Sequence, residues 1–212
     1  MAINSEIRNG FCSVGVPPRA NWSAVERSTN SPVMNMKNGL GAPGMPAVPL
    51  RMRLHNSRLE MALGGVTTYA DMYYFEEVVA EATKEAGLRG VLGQTIIDFP
   101  VPDAKTPAEG LVRAEAFLRR FQRDPLIVPA VAPHAPYTNT EATLKACRAL
   151  ANRYGVPLLT HLSETRTEND ESQAKWHMSP AQLLDKLGVF EGKTLVAHAV
   201  WVDEADRKIL RE

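Results

Sequence analysis

Three short apolar runs in this chain each stop at a histidine, and that pattern restricts the fold more than any other feature. Leu126-Ile127-Val128-Pro129-Ala130-Val131-Ala132-Pro133 runs into His134, Gly155-Val156-Pro157-Leu158-Leu159-Thr160 into His161, and Thr194-Leu195-Val196-Ala197 into His198. Near-continuous aliphatic runs of this length are strands buried on both faces, as in parallel sheets covered by helices. Polar residues on the C-terminal tips of successive strands are what the mouth of a (β/α)-barrel carries. Polar strand ends also occur without any chemistry, but three histidines in succession make that the weaker explanation.

The intervening segments complete the alternation. Leu54, Leu59, Met61, Ala62 and Leu63 fit a short helix stopped by Gly64-Gly65, and Val66–Met72 reads as a strand with Asp71 near its tip. Glu76 to Ala86 reads as a helix closed by Gly87, and Arg89–Ile97 as the next strand. Helices are then expected from Ala108 to Phe121 after Thr106, from Thr140 to Tyr154 before Gly155, from Ser179-Pro180 to Gly188, and from Asp203 onward. The polar stretch Thr165–Gln173 has no apolar period and is expected to be a mobile loop. Doubly wound sheets and barrels both fit such alternation. No strand is followed by G-x-G-x-x-G, and chemistry at several strand ends favours the barrel over a single switch point.

Composition narrows the partners. Lys+Arg and Asp+Glu are 24 each, so nothing in the net charge points to nucleic acid or to an anionic membrane. The balance conceals a split: residues 1–58 carry seven Lys/Arg against two Glu. The first fifty residues also hold six Pro, five Gly and six Asn without apolar periodicity, so residues 1–51 are expected to form a basic, poorly ordered extension. Residues 52–212 are expected to form the barrel domain. Cys12 and Cys147 suggest neither a disulfide framework nor a zinc knuckle. No apolar run approaches the ~20 residues of a membrane span, and the N-terminus lacks a signal-peptide core. A reducing cytoplasm is the expected location.

His161 and Glu164 are the first candidates for chemistry. Around a strand tip, a residue and its i+3 neighbour can face one pocket, where an imidazole ligates a metal and a carboxylate shuttles protons. The rival reading is a rim histidine beside an ordinary acidic helix start. His134 sits between Pro133 and Pro136, which stiffen its backbone, or it is a surface residue of a proline-rich turn. His198 lies among apolar residues, where a hydrogen-bonded core histidine competes with a functional one. Asp71 is either a rim residue or a helix cap, and Tyr69, Tyr73, Tyr74 and Phe75 read as core or rim packing. His177 reads as surface, and His55 has no partner at ligand spacing.

The segments GVTTYADMYYFEE, APHAPYT, THLSET and VAHAVWV resemble consecutive strand-end motifs of the amidohydrolase superfamily. They look most like its 5-methylthioadenosine/S-adenosylhomocysteine deaminase branch, whose relatives include guanine deaminases and triazine hydrolases. The resemblance runs from about Met52 to Glu212. It implies a partial (β/α)8 TIM-type barrel, about strands 2 to 6 with outer helices. It also implies one divalent metal, zinc first and iron second, and a small purine nucleoside-type substrate. On that pattern His161 is the metal ligand of the fifth strand, and Glu164 binds the purine and transfers protons. His134 contacts substrate, and His198 hydrogen-bonds the attacking water or the substrate.

Two features of the pattern are missing. The chain contains no His-x-His, the pair expected on a first strand, and it stops before an eighth-strand aspartate. A catalytic zinc normally has three protein ligands and a water. The expectation is therefore a hydrolase acting on C–N bonds by lineage, with an incomplete ligand set in this length of chain. Weak zinc binding and no measurable deamination are expected of it, together with instability or self-association through open sheet edges. The competing readings are a truncated, non-catalytic fragment, a related guanine- or triazine-type amidohydrolase, and a binding module built on the basic N-terminal part.

Overall fold

The computed structural model describes residues 50–211, with side chains from Asn56 onward. The compact unit it defines is Leu50–Glu212. Residues 1–49, with the expected disorder of the N-terminal extension and the thiol of Cys12, lie outside the described residues, as does the side chain of His55.

The element order is α1 (Leu50–Leu63), β1 (Thr68–Tyr73), α2 (Glu76–Glu85), β2 (Arg89–Ile96), α3 (Pro107–Phe121), β3 (Ile127–Pro133), a 3-10 turn (Pro136–Thr138), α4 (Glu141–Tyr154), β4 (Leu158–Leu162), α5 (Arg166–Trp176), α6 (Pro180–Lys186), β5 (Thr194–His198) and α7 (Glu204–Ile209). The five strands form one sheet in the order β1-β2-β3-β4-β5, and every neighbouring pair is parallel. Sequential parallel strands with a helix on each crossover are an open section of a (β/α)-barrel, and among the described residues β1 and β5 are its edges.

Helix limits follow local chemistry. Thr106, Thr140, Ser179 and Asp203 each cap a helix by accepting a backbone N–H, each cap being worth about 1 kcal/mol. Ser179 and Gln182 form a full capping box. Gly155 ends α4 with φ 66°, a left-handed conformation that costs glycine nothing.

Period-2 alternation divides the strands between two layers. On the outer side, Ile96, Val131, Leu158 and Leu162 pack against Leu118 of α3, Leu144 of α4 and Leu184 of α6. Leu92 and Ile127 likewise meet Val79 of α2 and Phe117 and Phe121 of α3. Each such side chain contributes about 1.5–3 kcal/mol by leaving water. On the inner face Ala130, Ala132 and Leu159 pack with Met72, Val91 and Leu195. Gly93 belongs to this layer, and a Cβ there would stand 2.7 Å from the Ala132 Cβ.

The expected mobile loop at Thr165–Gln173 is instead helix α5. Its sequence has no apolar stripe, so periodicity could not reveal it. Its first turn is held by the Thr165 hydroxyl accepting from the Glu168 N–H, and Glu168 and Ser172 are its buried residues.

Candidate functional site

The ends of β3, β4 and β5 bring His134, His161, Glu164 and His198 together. The His134 and His161 ring centroids are 4.7 Å apart, and the His161 and His198 rings stack at 5.3 Å. His198 Nε2 lies 3.7 Å from Glu164 Oε1, both side chains being partly exposed. All four residues lie at or just beyond the C-terminal ends of parallel strands, which is where barrel chemistry resides.

Backbone groups orient the rings. The His134 carbonyl accepts from His161 Nδ1 at 2.7 Å and from the His161 backbone N–H at 2.9 Å. That bond places the proton on Nδ1 and leaves Nε2 with its lone pair, the tautomer that a metal ligand requires. The ladder between β3 and β4 contains a single residue pair, Val131 with Leu158, so this double contact to His134 is what ties the strand tips together. The Thr138 hydroxyl donates to the Ala135 carbonyl and so accepts from His134 Nδ1 at 3.0 Å, again leaving Nε2 as an acceptor. Burial, helped by the neighbouring His161, holds the His134 pKa down to about 4. His134 is therefore neutral near pH 7.

His198 is aimed by its backbone. Its register partner is Leu162, whose side chain packs into the outer layer. Strict alternation would send His198 outward as well. Its φ of 72° and the φ of 49° at Ala199 turn the chain into the left-handed region, and the ring stacks on His161 instead. Ser163, at the end of β4, is a third non-glycine residue of this kind, with φ 49°. Strained backbone of this sort persists only where its surroundings hold it.

Asp71 lines one cavity together with His161, and the remaining candidates make other contacts. Asp71 forms an ion pair with Arg58 at 3.7 Å, and burial raises its pKa. Tyr69 takes two hydrogen bonds from Arg58 and meets the Thr83 hydroxyl, so it serves packing as expected. His177 is the C-cap of α5. Cys147 is buried against the α3–α4 core, and burial raises its thiol pKa. The residue that sequence reasoning missed is Glu168, whose carboxylate takes the Ser163 and Glu164 amides. A signal existed: Thr165-Arg166-Thr167-Glu168 has the T-x-x-E spacing of a helix start.

Two imidazoles, His161 and His198, suit a divalent metal in kind. Among the described residues, however, no group of three or more His, Cys, Asp or Glu is placed to hold a metal. The donor set fits in type and falls short in number. A largely apolar cavity of about 230 Å³ is lined by Ala70, Asp71, Met72, Leu159, Thr160, His161, Leu195 and Ala197, so Asp71 and His161 border the same space. A flat heterocycle can be accommodated by a cavity of that character. Among the described residues, no helix is long and apolar enough to cross a membrane.

A parallel sheet section with histidines on successive strand ends is an open section of a (β/α)-barrel, and comparison with known proteins gives it a family. Residues 49–212 match the amidohydrolase family, and the chain belongs to that family. It is 40% identical over 154 residues to 5-methylthioadenosine/S-adenosylhomocysteine deaminase of Aquifex aeolicus, covering 73% of this chain and 36% of that protein. It is 42% identical over 154 residues to 5'-deoxyadenosine deaminase of Methanothrix thermoacetophila, with 73% and 36% covered. Among solved structures, an adenosine deaminase from Xanthomonas campestris with bound zinc superposes with a TM-score of 0.71 at 33% identity, covering 77% of this chain and 38% of that one. The chain thus spans little more than a third of the length of these relatives.

Proposed function

We propose that this chain carries the substrate-facing half of a metal-dependent deaminase acting on an adenine-type nucleoside, of the S-adenosylhomocysteine or 5-methylthioadenosine kind. The observation that carries the reading is the convergence of His134, His161, Glu164 and His198, with Nε2 of His161 left bare by the His134 carbonyl. The names of the relatives support the substrate class.

His161 would supply an imidazole donor to a divalent metal, zinc by likeness to the Xanthomonas structure. The remaining donors would have to come from outside the described residues. When bound, such a metal makes the attacking water a better nucleophile. Glu164 takes a proton from that water and delivers it to the ring nitrogen beside the amino-bearing carbon. Glu164 then moves the remaining hydroxyl proton to the amino group, the C–N bond breaks, ammonia leaves, and the ring keeps the oxygen as a carbonyl beside its protonated nitrogen. His198, 3.7 Å from Glu164, hydrogen-bonds the same water and keeps the carboxylate turned toward it. Neutral His134 accepts a hydrogen bond from a substrate N–H or O–H through its free Nε2.

The shortage of ligands among the described residues favours a second statement: this length of chain does not sustain turnover alone. Elemental analysis and ammonia release test both. The chain as written is expected to hold zinc weakly and to release no ammonia from S-adenosylhomocysteine. A chain extended with a His-x-His first strand and with the seventh and eighth strands and their aspartate is expected to hold one zinc and to turn over. That turnover should be lost in Glu164→Gln. Tight zinc and ammonia release by the unextended chain, abolished by His161→Ala, would refute the statement of incompleteness. An extended chain that holds zinc yet deaminates no purine nucleoside would refute the deaminase reading.

A further inference from the structure

We infer that Glu168 is the positioning residue of this site: its buried carboxylate clamps the turn after β4 and so fixes both Glu164 and the β5 exit that carries His198. What the held groups then do rests on the deaminase reading; the clamp itself rests on geometry.

Glu168 is 5% exposed. Its Oε1 accepts from the Ser163 N–H at 3.1 Å and its Oε2 from the Glu164 N–H at 2.8 Å. A glutamate at the third position of a helix ordinarily reaches back to the amide of the N-cap residue. Thr165 performs its own half of that motif, its hydroxyl accepting from the Glu168 N–H at 3.1 Å. The Glu168 carboxylate, however, passes beyond the cap to the two residues before it. It serves the strand exit rather than the helix.

The turn it holds needs holding. Ser163 has φ 49°, and its hydroxyl is buried without a hydrogen-bond partner, so its own side chain does not secure that conformation. On its other side, the Ser163 carbonyl accepts from the Val200 and Trp201 N–H groups at 3.1 and 3.0 Å. Those residues directly follow His198 and Ala199, the other two left-handed positions of the site. One peptide turn is thus tied to Glu168 through its amides and to the β5 exit through its carbonyl. Two charge-assisted bonds from a single carboxylate are strong enough to set such a turn. The 3.7 Å approach of Glu164 to His198 is the geometry it protects.

The test compares three variants of the full 212-residue chain by amide hydrogen exchange and by NMR of the Glu164 carboxyl and His198 ring. Glu168→Gln keeps length but replaces one acceptor oxygen with a donor. Glu168→Asp keeps charge but cannot span both amides, and it carries the test if the Gln variant does not fold. Thr165→Ala removes the helix cap alone. In Glu168→Gln, the Ser163 or Glu164 amide is expected to exchange about tenfold faster or more. The Val200, Trp201, Glu164 carboxyl and His198 ring signals should shift with it, and Glu168→Asp should restore part of the change. Thr165→Ala should loosen the α5 amides and leave those signals in place. Unchanged exchange and unshifted rings in both Glu168 variants would overturn the inference. So would an equal effect from Thr165→Ala, which would reduce Glu168 to a helix cap. Neither measurement needs metal or turnover, so the clamp stands or falls independently of the deaminase reading.

Discussion

Leu162→Ala probes the layer that supports the site. Leu162 is fully buried on β4 between His161 and Ser163, packed in the cluster of Val131, Leu158, Ala181 and Leu184. The substitution removes three carbons, worth about 0.8 kcal/mol each on transfer, or roughly 2.4 kcal/mol. A cavity term adds to this, because strand and helix backbones cannot close fully around the gap, giving about 3–4 kcal/mol in all. The assay is urea unfolding of the 212-residue chain, followed by circular dichroism. With a slope of about 2 kcal/mol per molar urea, the midpoint should fall by roughly 1.5–2 M. Val112→Ala on α3, a position 69% exposed, is the control and should cost no more than about 0.5 kcal/mol. A loss below about 1 kcal/mol for Leu162→Ala, or equal losses for both variants, would refute the described packing of sheet against helices.

Two predictions concern titration. Glu76 is fully buried: Tyr73 N–H donates to its Oε1 and its Oε2 has no partner. Burial, and then the nearby Asp71, raise its pKa well above the carboxylate range. The folded state therefore keeps a proton that the unfolded chain releases near pH ~4.3, and stability falls as pH rises from there toward the folded value. Glu76→Gln should raise the urea midpoint at about pH 7.5 and leave it near wild type at about pH 4; a lower midpoint at the higher pH would contradict this. His134 has the opposite sign: its folded pKa of about 4 lies below the ~6.5 of an unfolded histidine. Its contribution is complete above pH ~6.5 and is lost as pH falls through the folded value. In the metal-free chain its ring resonances should stay flat from about pH 8 to about pH 5, and a midpoint near ~6.5 would show the ring to be solvated.

The legible part of the site was the part written in strand periodicity. His134, His161 and His198 end apolar runs, so their common location at one rim followed once parallel pairing was granted. What joins the rings did not follow. The bond from His161 Nδ1 to the His134 carbonyl spans 27 residues of chain, and no local pattern encodes a contact of that range. The turn of His198 onto His161 depends on a left-handed backbone at two non-glycine residues, for which local preference predicts the reverse.

Helix α5 and Glu168 show the same division. Helix periodicity registers apolar faces, and α5 has none, so Thr165–Gln173 resembled a loop. The Glu168 carboxylate bonds to Ser163 and Glu164 are local in the chain, and the turn they hold meets the β5 exit through the Ser163 carbonyl, which accepts from the Val200 and Trp201 N–H groups. By itself the sequence determined the alternation of strand and helix, the caps at Thr106, Thr140, Ser179 and Asp203, the outer core and the residue types of the site. Those properties depend on side-chain period and local backbone preference. The tautomer of His161 and the low pKa of His134 were decided only by the assembled sheet, because each requires groups distant in the chain to meet out of water.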